Sequence, residues 1–360
     1  MANTKKVCVV GAGVVGLSTA YCLANCGGNI EVTVIAEKFS PNTTGDGAAG
    51  KWYPSHLSQT PEIDQRRWGS ITYQWLLDLT FSDLADSVGV SLVSGYHFFE
   101  YYPKDPHWKD MVLFFRRATN REIEKINENG YYVVKTGWFY TTFFLNCETY
   151  LPWLMAKFRK LGGKVIQRRV ESLSELGGKY DCIVNCSGLG SYQLADDKSL
   201  YPIWGQLARV NAPWIKHFIS FYSKEKKDAY IMPRATDVVL GIYNEPHRWE
   251  NKVDDEIHEE TMQRIYSVMP SLKNAKVTWK WSGLRPARPA VRLENDQLNV
   301  NGKKLPIIHN YGHGGSGITL HLGCALNATK LVIEALGMQS PGINYSYNFP
   351  RISQNYSSKL

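Results

Sequence analysis

Three glycines at the spacing Gly11-x-Gly13-x-x-Gly16, directly behind the apolar run Val7-Cys8-Val9-Val10, constrain this chain more than any other feature. A short run of β-branched residues and Cys reads as a buried strand, and Leu17-Ser18-Thr19-Ala20-Tyr21-Cys22-Leu23 behind the glycines reads as a helix. In that setting Gly11 permits a tight turn, Gly13 lets backbone approach a pyrophosphate, and Gly16 lets helix and strand pack closely. The helix N-terminus offers N–H donors to phosphate. A second strand, Glu31 to Ala36, ends at Glu37, about 20 residues on, where an acid for a ribose hydroxyl belongs. The unit is a dinucleotide cradle in which NAD and FAD are both open at this point; a glycine turn in a cofactor-free α/β protein is the competing reading.

A chain of 360 residues has room for two domains and a large core. The formal net charge of +8 is spread along the chain rather than gathered into a stripe. That suits attraction of acids and argues against nucleic-acid binding. The seven cysteines sit mostly in apolar segments and read as reduced core residues, without the His or Cys partners of a zinc site, so no metal is expected. No apolar run approaches the ~18 residues of a membrane span, and no signal peptide precedes the first strand, so an intracellular protein is expected. The terminal Ser358-Lys359-Leu360 reads as a peroxisomal import tripeptide, with an import receptor as partner, at the end of a polar tail over 339–360.

Residues 38–56 read as a long loop whose small residues from Gly45 to Gly50 let backbone approach a ligand. From Thr60 to Asn146 the pattern changes. Trp75 to Leu79 reads as helix, and Val88 to Ser94 and Tyr131 to Val134 as strands, suggesting an inserted, antiparallel-leaning domain. The nucleotide-binding style then resumes, with a helix from Tyr150 to Arg159, a strand from Lys164 to Val170 and a buried strand from Tyr180 into Ser187-Gly188. Aromatic strands return at Ala229 to Pro233 and Val238 to Tyr243. Phe218 to Asp228 reads equally as a mobile cover over a pocket or as an ordinary solvated loop.

Near the C-terminus, Arg285 and Arg288 stand among Pro286, Pro289 and Gly283, a rigid setting for bidentate anion recognition or a pair of surface arginines. Leu305 to His309 then runs through Gly312, Gly314, Gly315 and Gly317 into a helical pattern from Thr319 to Leu336. This repeats the strand, glycine turn, helix logic of the N-terminus. Two such loops suit an elongated cofactor, the second with a helix N-terminus for negative charge on a reduced flavin ring.

Over nearly its whole length the sequence resembles the D-amino acid oxidase and D-aspartate oxidase family of FAD flavoproteins. The resemblance is carried by Val9 to Ser18, Thr43-Thr44 through Ala49-Gly50, Val184 to Gly188, Gly283 to Pro286 and, most specifically, Ile308-His309-Asn310-Tyr311-Gly312-His313-Gly314-Gly315-Ser316-Gly317. It implies an α/β fold: a Rossmann-like FAD-binding domain (1–56, 147–199 and 283–338) interleaved with an α+β substrate domain (57–146 and 200–282) containing a mostly antiparallel sheet. It implies non-covalent FAD, its ADP part on Gly11, Ala12, Gly13, Val14, Val15, Gly16, Glu37 and Lys38. The rest of the cofactor would lie near Thr43, Thr44, Ala49, Gly50, Lys51, Val170, Ser187, Gly188, Arg285, Gly312, Gly314, Gly315, Ser316, Gly317, Ile318 and Thr319. Arg285 would clamp a substrate α-carboxylate, the Tyr230 hydroxyl would add a hydrogen bond, and the Gly315 carbonyl would hold the amine, with Tyr53 and Lys51 beside the pocket. No protein base is expected: hydride leaves the α-carbon for flavin N5, water hydrolyses the imino acid to a 2-oxo acid and ammonia, and molecular oxygen yields hydrogen peroxide. A homodimer is compatible with the resemblance.

In the D-aspartate branch, arginines suited to a side-chain carboxylate lie at positions matching Ser220 and Asn244, neither of which pairs with an acid. The expectation is therefore neutral D-amino acids, with acidic D-amino acids as the alternative and Lys51 pointing to solvent. A flavin-binding protein without turnover and an NAD-dependent dehydrogenase are rivals from other classes.

Overall fold

The computed structural model describes residues 4–27, 29–128, 130–225, 227–241 and 244–339; the expected import signal at Ser358, Lys359 and Leu360 lies outside the described residues. In chain order the elements are β1 (Lys5–Val10), α1 (Val14–Asn25), β2 (Ile30–Ala36), α2 (Glu62–Thr80), α3 (Ala85–Val88), β3 (Val90–Phe99), β4 (Leu113–Arg117), α4 (Asn120–Asn127), β5 (Thr136–Leu145), α5 (Cys147–Lys160), β6 (Lys164–Gln167) and β7 (Cys182–Asn185). They continue with α6 (Ser191–Leu194), β8 (Tyr201–Asn211), β9 (Phe218–Tyr222), β10 (Ala229–Pro233), β11 (Val238–Gly241), β12 (Glu245–Pro246), α7 (Asp255–Val268), β13 (Lys276–Val300), β14 (Lys303–His313) and α8 (Gly317–Ala335).

All the strands join one sheet, ordered β4-β5-β3-β9-β10-β11-β8-β13-β14-β7-β1-β2-β6, with β12 paired to β8. From β14 to β6 the pairs are parallel, the nucleotide-binding end. Val7 and Val9 pack in the cluster that holds Leu17 of α1 and Leu322 of α8, while Cys8 and Val10 pack with Val170, Leu173 and Leu176 on the other face. Burial on both faces is why this strand is apolar at every position from Val7 to Val10 rather than alternating. From β4 to β14 the pairs are antiparallel except β3 with β9. The architecture is α/β with a mostly antiparallel second half.

β13 joins the two halves, pairing with β8 from Lys276 to Ala287 and with β14 from Ala287 onward. The domain boundary expected between 282 and 283 thus falls inside a single strand.

Four local expectations are corrected. Tyr131 to Val134 is not a strand; the side chain of Asn127 binds the N–H and C=O of Val134, at 2.9 and 3.0 Å, in place of a neighbouring strand. The strand begun at Lys164 stops at Gln167, three residues short of Val170. The loop over 38–56 contains a 3₁₀ turn, Thr44–Gly47, closed by Asp46, whose carboxylate accepts from the N–H and hydroxyl of Thr43. Finally, Phe218 to Tyr222 is no cover: it is β9, inside the sheet between β3 and β10, leaving only the short connection to Ala229 as loop.

Candidate active site

The C-terminal ends of β1, β2 and β7 open into a cavity of about 1020 Å³ that continues over the antiparallel half of the sheet. At its first end, Gly11 takes φ 111°, and a Cβ there would meet the Cys186 carbonyl at 2.4 Å, so only glycine makes this turn. A Cβ on Gly13 would meet no protein atom within 4 Å: that side of the turn faces open space. Gly13 caps α1 without a side-chain hydrogen bond, leaving first-turn N–H groups free for an anion. The space and the donors fit a pyrophosphate. Glu37 and Lys38 at the end of β2 line the same space, followed by Thr43, Thr44, Ala49, Gly50, Val170, Ser187 and Gly188.

At the far end the wall is formed by Gly312, Gly314, Gly315, Gly317 and Ile318, at the N-terminus of α8. Ser316 and Thr319, named with them from the sequence, are not on that wall. The Ser316 hydroxyl accepts from the Ser55 N–H and donates to the Ser55 carbonyl, both at 2.7 Å, and Thr319 does the same with Tyr53 at 3.0 and 2.9 Å. On the other side Trp52 N–H donates to the Phe143 carbonyl of β5 at 2.9 Å, and Thr142 donates to the Trp52 carbonyl at 2.9 Å. Residues 51–55 are thereby held extended between β5 and α8. Strand-like alternation buries Trp52 and turns Lys51 and Tyr53 into the cavity.

The floor beneath is one row across the sheet. His97 of β3 is in register with Ser220 of β9, Ser220 with Tyr230 of β10, Tyr230 with Gly241 of β11, Gly241 with Leu207 of β8, and Leu207 with Trp281 of β13. Cross-strand partners project from the same face, so these side chains share one surface. Arg285, four residues beyond Trp281, projects from that face too and folds over Gly205.

Among the described residues Arg285 Nη1 is buried with no hydrogen-bond partner, a donor suited to an anion. Burial lowers the guanidinium pKa from its ordinary value and raises the Tyr230 hydroxyl to about 12, which keeps the phenol a neutral donor. His56 adjoins Gly314 and Gly315; burial and the Arg285 charge bring its imidazole down to about 4, leaving it neutral.

Lys51 does not point to solvent, contrary to the expectation. Its Nζ lies 2.8 Å from His97 Nε2 and 3.5 Å from Ser220 Oγ, and 4.5 Å from the centre of the Phe218 ring. Burial brings its pKa down to about 7 and, together with the Lys51 charge, pushes His97 well below the usual imidazole range. Sequence reasoning missed His97, His56, Tyr222 and Asp228, which all belong to this region. The signal for His97 was a polar residue on the inward face of an aromatic strand, and for Gly205 a glycine in a strand interior.

Fold and cavity together define an oxidoreductase-type nucleotide groove ending in a buried anion clamp. Residues 6–331 match the family DAO, described as FAD dependent oxidoreductase. The chain is 41% identical over 336 residues to a D-aspartate oxidase of Homo sapiens, covering 93% of this chain and 96% of that protein. It is 36% identical to a D-amino-acid oxidase of Rubrobacter xylanophilus, covering 92% and 97% of the two. The fold is shared with glycine oxidase from Geobacillus kaustophilus, at a TM-score of 0.69 and 18% identity over 93% of this chain and 95% of that one. The chain belongs to the DAO family of FAD-dependent oxidoreductases, and its cofactor is FAD.

Proposed function

We propose that the chain oxidises D-amino acids to imino acids, which water converts to 2-oxo acids and ammonia. The observation that carries this reading is the buried Nη1 of Arg285, unpartnered among the described residues, on the same cavity wall as the Tyr230 hydroxyl and the glycine loop of α8. Arg285 takes the α-carboxylate, Tyr230 donates to it, and the Gly315 carbonyl accepts from the amine. Holding the carboxylate and amine together fixes the α-carbon, and such positioning supplies a large share of the catalysis. FAD held in the groove would supply the acceptor for the hydride leaving the α-carbon, with oxygen as the final two-electron acceptor giving hydrogen peroxide. Tyr53, Phe218, Tyr222 and Trp281 give the substrate an aromatic surround that limits water.

Two side-chain classes are in play. Ser220 and Asn244 support neutral D-amino acids. Lys51, a cation on the cavity wall whose polar contacts among the described residues are neutral, favours acidic ones, as does similarity to a protein named D-aspartate oxidase. We favour the acidic class. The test is the anaerobic visible spectrum of the purified yellow protein with D-aspartate, D-alanine and their L-enantiomers. Bleaching by a D-amino acid alone supports the oxidase, and bleaching by none overturns it in favour of a flavin-binding protein. For location we propose peroxisomal import through Ser358-Lys359-Leu360; removing these three residues should leave a fluorescent fusion diffuse in the cytosol, and unchanged targeting would overturn the proposal.

A further inference from the structure

The Lys51 amine stands one strand from Tyr230, and Arg285 reaches the same cavity wall from β13. Ser220, the neighbour of Lys51, is the register partner of Tyr230, and adjacent strands lie about 4.8 Å apart. A diacid whose α-carboxylate sits on Tyr230 and Arg285 and whose side chain runs toward β9 would bring its second carboxylate to Lys51. The amine is held by His97 Nε2, which also lies 3.0 Å from the Tyr140 hydroxyl, while His97 Nδ1 is buried without a partner among the described residues. A neutral His97 accepting at Nε2 carries its proton on Nδ1, leaving Lys51 a cation with no carboxylate in contact among the described residues.

We infer that Lys51, positioned by His97 and Ser220, is the receptor for a second substrate carboxylate, and that its protonation state sets the balance between dicarboxylic and neutral D-amino acids. This rests on the oxidase reading above. Protonated, Lys51 offers a charge-assisted hydrogen bond to an acid and an unfavourable pole to an alkyl group; deprotonated, it becomes a short amine flanked by the Tyr53 and Phe218 rings. Burial places its titration near pH 7.

The other groups facing this space do not mimic the switch. Tyr140 of β5, Tyr222 of β9, Tyr230 of β10 and Tyr53 are all held above the ordinary phenol range by burial. Arg285 of β13 stays cationic. Asp228, the carboxyl on this part of the wall, acts on Tyr53 and Tyr222, and its own pKa is raised by burial while it accepts from the Ser223 N–H at 2.9 Å.

The experiment measures kcat/KM for D-aspartate and D-alanine from about pH 5.5 to 9.5 on the FAD-loaded enzyme, since kcat/KM reports ionisations of free enzyme and substrate. The ratio cancels titrations common to both substrates, such as loss of the α-ammonium proton. In the wild type the D-aspartate/D-alanine ratio should be flat at low pH and fall about tenfold per pH unit above the Lys51 pKa. Lys51→Arg should hold the ratio flat to high pH, and Lys51→Met should lower it at least about tenfold at pH 6 and abolish its slope. His97→Leu, which removes the acceptor, should move the break to lower pH, a shift that a merely structural role would not give. A non-turnover readout accompanies these: binding of succinate against butanoate, followed by perturbation of the flavin bands, should show the same pH-dependent ratio in the wild type and none in Lys51→Met. Retained flavin bands verify that each variant folds. A ratio with the same pH profile in wild type, Lys51→Arg and Lys51→Met overturns the inference while turnover of either D-amino acid leaves the oxidase reading standing. Turnover of neither overturns both.

Discussion

The guanidinium of Arg285 occupies the space where Gly205 has no side chain: a Cβ on Gly205 would come within 2.0 Å of Arg285 Nη1. The two residues lie on neighbouring strands, Gly205 opposite Gly283 and Arg285 opposite Ile203, so the arginine lies back along β13 over the gap. A glycine on one strand thus shapes the anion site built on the next. Gly205→Ala should displace the guanidinium and lower kcat/KM by on the order of 10- to 100-fold, chiefly through KM, with flavin binding retained. Steady-state kinetics beside a flavin titration would check this; unchanged KM would show that Arg285 adapts.

Arg285→Ala removes the partner of a buried carboxylate. Such losses cost about 2 to 5 kcal/mol, so kcat/KM should fall by roughly 1.5 to 3.5 orders of magnitude for every substrate tested. Arg285→Lys should recover only part of it, because an ammonium lacks the planar fork. Wild-type kcat/KM in Arg285→Ala would mean that the α-carboxylate binds elsewhere.

The two turn glycines should fail differently. Gly13 faces open space, so Gly13→Val should leave the apoprotein melting temperature nearly unchanged yet weaken FAD binding severely, as the added methyls enter the pyrophosphate space. Gly11→Ala puts its Cβ against the Cys186 carbonyl at φ 111°, and should destabilise the apoprotein itself by about 1 to 3 kcal/mol. Calorimetry of both apoproteins separates the two effects, and equal losses would contradict this assignment.

Lys51 also links stability to pH. Its folded-state pKa of about 7 lies below its ordinary value of 10.5, so between these values the unfolded chain binds more protons and stability gains with rising pH, by at most about 1.4 kcal/mol per unit. Below about 7 the amine is charged in both states and its burial penalty is fully present. Lys51→Met should therefore stabilise the protein most at and below neutrality, with the advantage shrinking toward pH 10.5. Unfolding curves of the two proteins across that range would reveal a pH-independent difference if Lys51 were solvated.

The nucleotide-binding unit was legible because it is local. β1, the glycine turn, α1 and Glu37 lie within one short stretch, where a 2-residue or 3.6-residue period and a glycine's freedom translate directly into backbone. Arg285 and the glycine loop before α8 were also legible as local patterns, an arginine among prolines and a strand-turn-helix, but Tyr230 and the roles of all three came from the family resemblance. The sequence did not reveal that Phe218 to Tyr222 is an internal strand, or that Lys51 faces inward. Alternation determines which residues of a strand share a face, but His97, Ser220, Tyr230, Gly241, Leu207 and Trp281 meet only because strands from distant parts of the chain pair in one register. A shift of one residue in any of those pairings would turn that strand's member of the row to the opposite face. Likewise, the direction of Lys51 depends on hydrogen bonds from β5 and α8 to the backbone around it. The sequence by itself determined the cradle and the alternation of each strand; the tertiary structure decided which faces meet, and with them the chemistry at the far end of the cavity, because register and burial depend on contacts between segments far apart in the chain.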